Sequence, residues 1–70
     1  MIWIFERDNR RAKLEVLYLG PNNYEVRFWD ADGKERVEHF KSAEDVGNRQ
    51  LDVEHSLAMQ GWSRTGGWKL

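Results

Sequence analysis

Chemistry at neutral pH needs a nucleophile with a base beside it, or ligands that converge, and few residues of this chain qualify. The hydroxyl nucleophiles are Ser42, Ser56, Ser63 and Thr65. None stands in a Gly-x-Ser-x-Gly elbow or a comparable setting. Ser42 precedes Glu44 and Asp45 at the start of a helical pattern, so its hydroxyl fits a helix cap better than a nucleophile. The two histidines, His39 and His55, would need an acid such as Glu54 or Asp52 within reach to act as bases. Flanked by charged residues on so short a chain, they read as surface side chains. A helix lying on a sheet also leaves little concave volume for a substrate. The expectation is that the chain is not an enzyme.

Metal and cofactor chemistry fare no better. There is no cysteine, which removes disulfides, thiolate zinc sites and thiol redox chemistry together. Asp52 and His55 are three residues apart and share a helical face, but a structural site needs about four ligands. The glycines, at positions 20, 33, 47, 61, 66 and 67, form neither a P-loop nor a dinucleotide pattern. No metal and no cofactor are expected.

A cluster of cations is more suggestive. Arg7, Arg10, Arg11 and Lys13 surround the first turn, and Trp3, Phe5, Tyr18, Tyr24, Phe28 and Trp29 interleave with charge along the strands. Single-strand nucleic-acid binders combine a basic groove with aromatic platforms. Most of these aromatics, however, alternate in phase with Val and Leu as core residues do. The formal net charge of −1 also lacks the strongly basic balance of a nonspecific binder.

The elements that must position these residues are legible from periodicity. Residues 2–7 form a β-branched and aromatic strand, and Asp8-Asn9-Arg10-Arg11 suits a turn. Residues 12–19 alternate, with Leu14, Val16 and Tyr18 on one side and Lys13, Glu15, Leu17 and Leu19 on the other. Gly20-Pro21-Asn22-Asn23 is the strongest turn signal. Residues 24–30 alternate again, and Asp30-Ala31-Asp32-Gly33 reads as a hairpin loop. Residues 34–41 make a fourth, more charged strand, which suits a sheet edge. A helix over about 43–60 follows, capped by Ser42 and stopped by Gly61. Its apolar side holds Ala43, Val46, Gly47, Leu51, Val53, Leu57 and Ala58, with Gln50 and Glu54 inconveniently near the middle. Three resolutions are open: a bend near Gly47, buried partners for these two residues, or a narrower packed stripe. Trp62 is placed to fold back on the last turn. The tail, 62–70, is a loose end, a short fifth strand or a docking arm.

The expected fold is therefore a single α+β domain over 1–70, a four-stranded antiparallel meander packed by one C-terminal helix. At 40% apolar and 13% aromatic residues, with nearly balanced charge, the chain is not of the disordered class. The opening run Met1-Ile2-Trp3-Ile4-Phe5 meets Glu6 and Arg7 too soon for a secretory signal, and no stretch reaches membrane-spanning length. A cytoplasmic setting without membrane contact is the expectation.

The pattern leaves apolar residues on both faces of the sheet. If the helix covers Leu14, Val16, Tyr18, Tyr24, Val26 and Phe28, then Leu17 and Trp29 point away, joined by either Ile2 and Ile4 or Trp3 and Phe5. The candidate interface is Ile2, Ile4, Leu17, Arg27 and Trp29. An uncovered patch of this kind marks an interface unless the tail, through Trp62 and Trp68, folds over it. Without disulfide or metal, self-association is the staple left to so small a domain. The expected function is a non-enzymatic binding or self-associating module, a homodimer through its open sheet face. The alternative is a single-strand nucleic-acid module using Arg7, Arg10, Arg11 and Lys13.

The stretches MIWIFERDNRRAKLEV and YEVRFWDADGKERVEHFKSAEDV, with the late Gly61-Trp62, resemble a group of short bacterial proteins of unknown function. Their pattern has an aromatic-rich first strand ending in Arg-Asp, a Tyr-containing strand, a Trp-x-Asp-Gly turn and a Phe-Lys step into a helix. Trp29-Asp30-Ala31-Asp32-Gly33 carries one residue more in that turn. The resemblance implies a bacterial source and no particular activity. In architecture alone, four strands and a helix are similar to the unit of Whirly, Pur-type and coactivator-type single-strand binders, which is no warrant for function.

Overall fold

The first strand, β1 (Ile2–Arg7), is the run of β-branched and aromatic residues, and it stops where Asp8 and Asn9 both take positive φ, 50° and 64°. Two consecutive left-handed residues make the tight hairpin turn whose twist matches its strands. The turn is thus Asp8-Asn9 alone. Arg10 and Arg11, expected in it, begin β2 (Arg10–Gly20). The second turn is as the sequence implies, with Pro21 followed by Asn22 at φ 56°, and leads into β3 (Asn23–Trp29). Asp30 then organises the third turn. Its Oδ1 accepts the backbone N–H groups of Asp32 at 2.9 Å and Lys34 at 3.0 Å, while Gly33 supplies φ 81°. Beyond it run β4 (Glu35–Phe40) and α1 (Ala43–Met59). The Ser42 hydroxyl accepts the N–H of Asp45 at 3.2 Å, the cap read from the sequence.

This computed structural model describes residues 1–68, with side chains through Thr65. Its sheet has five strands, not four. The expected four follow one another as a meander, and Ser63–Trp68 adds β5 against β1, giving the order β4-β3-β2-β1-β5, all antiparallel. The tail is therefore a strand through residue 68 and not a loose end. A register shift between Ile4 and Phe5 lets it follow β1, and Thr65 Oγ1 donates to Glu6 Oε1 at 3.0 Å. As expected, β4 is an edge. The α1 helix is shorter and less apolar than a membrane span; no helix among the described residues is long and apolar enough to cross one.

The helix covers the face carrying Trp3, Phe5, Ala12, Leu14 and Val26, all buried, and meets them with Val46, Val53 and Leu57. Val16, Tyr24, Phe28, Phe40 and Trp62 close the margins. The packed stripe is narrower than the sequence suggested: Leu51 is 62% exposed, and Ala43 and Ala58 are exposed as well. That resolves the conflict over Gln50 and Glu54. Glu54 flanks the stripe and faces Arg64 of β5 at 3.7 Å. The helix ends on a long-range cap, because Arg7 Nη1 of β1 donates to Gln60 O at 2.6 Å. A cation there complements the negative end of the helix dipole, which has no basic residue in its own last turn. Gly61 takes φ 88°, and the Trp62 N–H returns to Leu57 O at 2.9 Å, so Trp62 folds back on the last turn as expected.

Candidate functional site

Strand alternation sets the opposite face. With Trp3 and Phe5 turned to the helix, Ile2 and Ile4 face away, joining Leu17 and Trp29. The register fixes three rows across this face. Ile4, Lys13, Trp29 and Glu35 stand in line; Ile2, Glu15, Arg27 and Val37 form the next; Leu17, Glu25 and His39 form the third. All five candidate interface residues, Ile2, Ile4, Leu17, Arg27 and Trp29, thus share one surface that α1 does not cover. Val37, 40% exposed, extends it toward the sheet edge.

Several of the charges on this face are paired. Glu25, only 7% exposed, accepts from Arg27 Nε through one carboxylate oxygen, and its other oxygen lies 3.1 Å from His39 Nε2. The Arg27 hydrogen bond is the leading cause that holds the Glu25 carboxyl below the ordinary glutamate range, and the same bond raises Arg27. Lys13 Nζ sits over the Trp29 ring, 4.2 Å from its centre, a cation–π contact. Sequence reasoning paired the histidines with Glu54 or Asp52; the acid that His39 meets is Glu25. That pairing was countable, since a loop at residues 30–34 puts Glu25 opposite His39.

The four candidate nucleic-acid cations do not converge. Arg7 lies on the helix side, bound to Gln60 and 3.4 Å from Asp8. Arg10 reaches Asp32 in the third turn at 2.6 Å. Arg11 pairs with Glu6 at 3.5 Å on the open face, and Lys13 lies over Trp29. Each has an intramolecular partner, and they are divided between two faces.

On the helix side, the concave volume is larger than the sequence led us to expect. A groove of about 330 Å³ runs between α1 and the β3–β4 half of the sheet, floored by Phe28, Val53, Leu57 and Trp62 and rimmed by Arg36 and Arg49. Ser56 is the hydroxyl on its wall, yet neither histidine lines it: His39 is on the opposite face and His55 on the exposed side of the helix. A smaller hollow of about 180 Å³ lies on the other flank of α1, between Phe5, Ala58 and Trp62. Among the described residues no three His, Asp or Glu side chains converge as metal ligands. The expectation that Trp68 covers the open face concerns a side chain outside the described ones; Trp62 is on the helix side. No protein-family model, curated protein or solved structure matches this chain.

Proposed function

We propose that this chain is a non-enzymatic self-associating module that meets a second copy through the open face of its sheet. The observation that carries this reading is the gathering of Ile2, Ile4, Leu17, Trp29 and Val37 on the face that α1 leaves uncovered. Its charges suit a second copy. Glu6, Glu15, Glu25 and Glu35 alternate with Arg11, Lys13 and Arg27, so a two-fold partner can set acid against base. A polyanion would meet at least as many acids as bases there, which favours self-association over the nucleic-acid alternative. A cytoplasmic setting, with which a cysteine-free chain is compatible, belongs to the same reading.

The test is solution mass by light scattering over a range of concentrations. We expect a mass above that of the monomer for the wild type. Trp29→Ala and Leu17→Asp should lower that mass with the far-UV circular dichroism unchanged. A wild type that stays monomeric at every concentration overturns the proposal, as does unfolding of both variants, which would make these residues core. Titration with a single-stranded oligonucleotide should leave Trp fluorescence unchanged at low salt. Quenching that fades as salt rises would put the nucleic-acid reading in its place.

A further inference from the structure

The outer edge of β4 carries an arrangement of charge that the contacts within one chain, Glu38 with Arg49 and His39 with Glu25, use only in part. Among the described residues β4 has β3 on one side and no strand on the other. A free edge of this kind presents unpaired N–H and C=O groups and is ordinarily blunted by charge. Here the charges run Glu35, Arg36, Val37, Glu38, His39. Read backwards from His39, the sequence is complementary to itself about Val37.

We infer that two copies join edge to edge through β4, antiparallel, with Val37 of each copy on the two-fold axis. An axis perpendicular to the sheet requires that facing residues share a face, so only every second register is open. With Val37 opposite Val37, Arg36 faces Glu38 of the second copy and Glu38 faces its Arg36, both on the helix side. On the open side Glu35 faces His39 and His39 faces Glu35. Every charged pair is complementary or neutral, and the apolar pair is central. The neighbouring registers fail. Centring on Glu38 opposes two carboxylates, and centring on Arg36 opposes two guanidinium groups, each of which is destabilising. Of the residues in this pairing, Glu35, Arg36, Val37 and His39 are exposed, and His39 also lies 3.1 Å from Glu25 of its own chain. Glu38 is half-buried against Arg49 at 2.7 Å, and in the pairing it lies between two arginines.

The result is a continuous ten-stranded sheet with both helices on one side and both open faces on the other. This contact shares with the face contact only the identity of the partner. The two share Val37 and Glu35 on the open side, while Arg36 and Glu38 belong to the edge alone, so each contact can fail without the other.

Mixed charge reversal tests it. Arg36→Glu alone sets the new carboxylate against Glu38 twice, and Glu38→Arg alone sets the new guanidinium against Arg36 twice. Each should raise the dimer dissociation constant about tenfold or more, because two cross-strand pairs turn from attraction to repulsion. An equimolar mixture of the two variants restores both pairs and should recover the wild-type mass as a heterodimer. A cysteine placed at the axis provides a second test that leaves the Glu38–Arg49 pair intact. Facing residues of an antiparallel pair have Cα atoms about 4.5–5.5 Å apart, within disulfide reach. Val37→Cys should therefore cross-link under mild oxidation. Glu35→Cys should not, since its two copies would stand four residues apart, about 13 Å along the strand. Retention of the full wild-type mass by both reversal variants, no rescue in the mixture, or cross-linking through Glu38→Cys in place of Val37→Cys would overturn the inference. Loss of the dimer in Trp29→Ala but not in Arg36→Glu would assign self-association to the open face alone.

Discussion

Leu14 and Leu17 stand three residues apart on the same strand and have opposite fates. Leu14 is fully buried under the helix, with Trp3 and Phe28 beside it in register; Leu17 is partly exposed on the other face, beside Glu25. The two faces of the sheet differ in the same way throughout. On the helix side apolar residues meet other apolar residues from α1. On the open side each apolar residue stands beside a charged one, and the charged ones are satisfied laterally by Arg27–Glu25–His39, Lys13–Trp29 and Arg11–Glu6. One face is closed by burial; on the other, charges pair within the plane while the apolar residues between them stay partly exposed. Alternation alone therefore says that a sheet has two apolar faces, and only the partners of the intervening charges say which face is complete.

Substitutions can break this contrast, beginning with the largest effect. Leu14→Ala should cost about 2–5 kcal/mol in denaturant unfolding, because the site is closed on all sides and leaves a cavity. A domain of this length is worth roughly 4–10 kcal/mol in all, so most of its margin is at stake. Leu17→Ala should cost less than about 1 kcal/mol in the same experiment, and equal losses would mean that the two faces are equally buried. Ser42→Ala weakens the cover itself by removing the acceptor for the Asp45 N–H, and should cost about 1 kcal/mol with the sheet signal retained. The smallest effect belongs to Glu25, whose pair is partly in solvent and correspondingly weakened. Its carboxyl is held below the ordinary glutamate range, chiefly by Arg27, so its contribution is fully present above that range and is lost as pH falls through the lowered value. Glu25→Gln should flatten that part of the acid unfolding profile; an unchanged profile would show that the pair contributes nothing.

Much of this was legible in advance, for reasons that can be assigned. The bounds of β1 were readable because an unbroken β-branched and aromatic run meets Asp8-Asn9, residues that tolerate the φ values the turn demands. The helix was readable from Ser42 and Gly61. The candidate face was readable down to a choice between Ile2 with Ile4 and Trp3 with Phe5, which three-dimensional packing then made. The fifth strand was not readable as such. Ser63-Arg64-Thr65-Gly66-Gly67-Trp68 has no apolar alternation and is broken by two glycines, and it is a strand because β1 offers it an edge and Glu6 and Glu54 offer partners. The apolar stripe of the helix was drawn too wide, since hydrophobicity placed Leu51 inside it while the position of α1 over the sheet left Leu51 in solvent. Contacts such as Arg7 with Gln60, 53 residues apart, have no local signal at all.

The pairing of Ile2 with Trp68 has a further consequence for how the molecule is made. The meander can assemble hairpin by hairpin, each closing a short loop. The last strand closes a loop of nearly the whole chain, at an entropic cost of about 4 kcal/mol by the logarithmic law. During synthesis β1 is the first strand to emerge and the last to acquire both neighbours, so one of its edges stays unpaired until residues 63–68 have left the ribosome. For that interval the edge away from β4 is the apolar, aromatic β1 and not the glycine-bearing β5 that later covers it, and the speed with which β5 docks sets how long a nascent molecule presents β1 to a wrong neighbour.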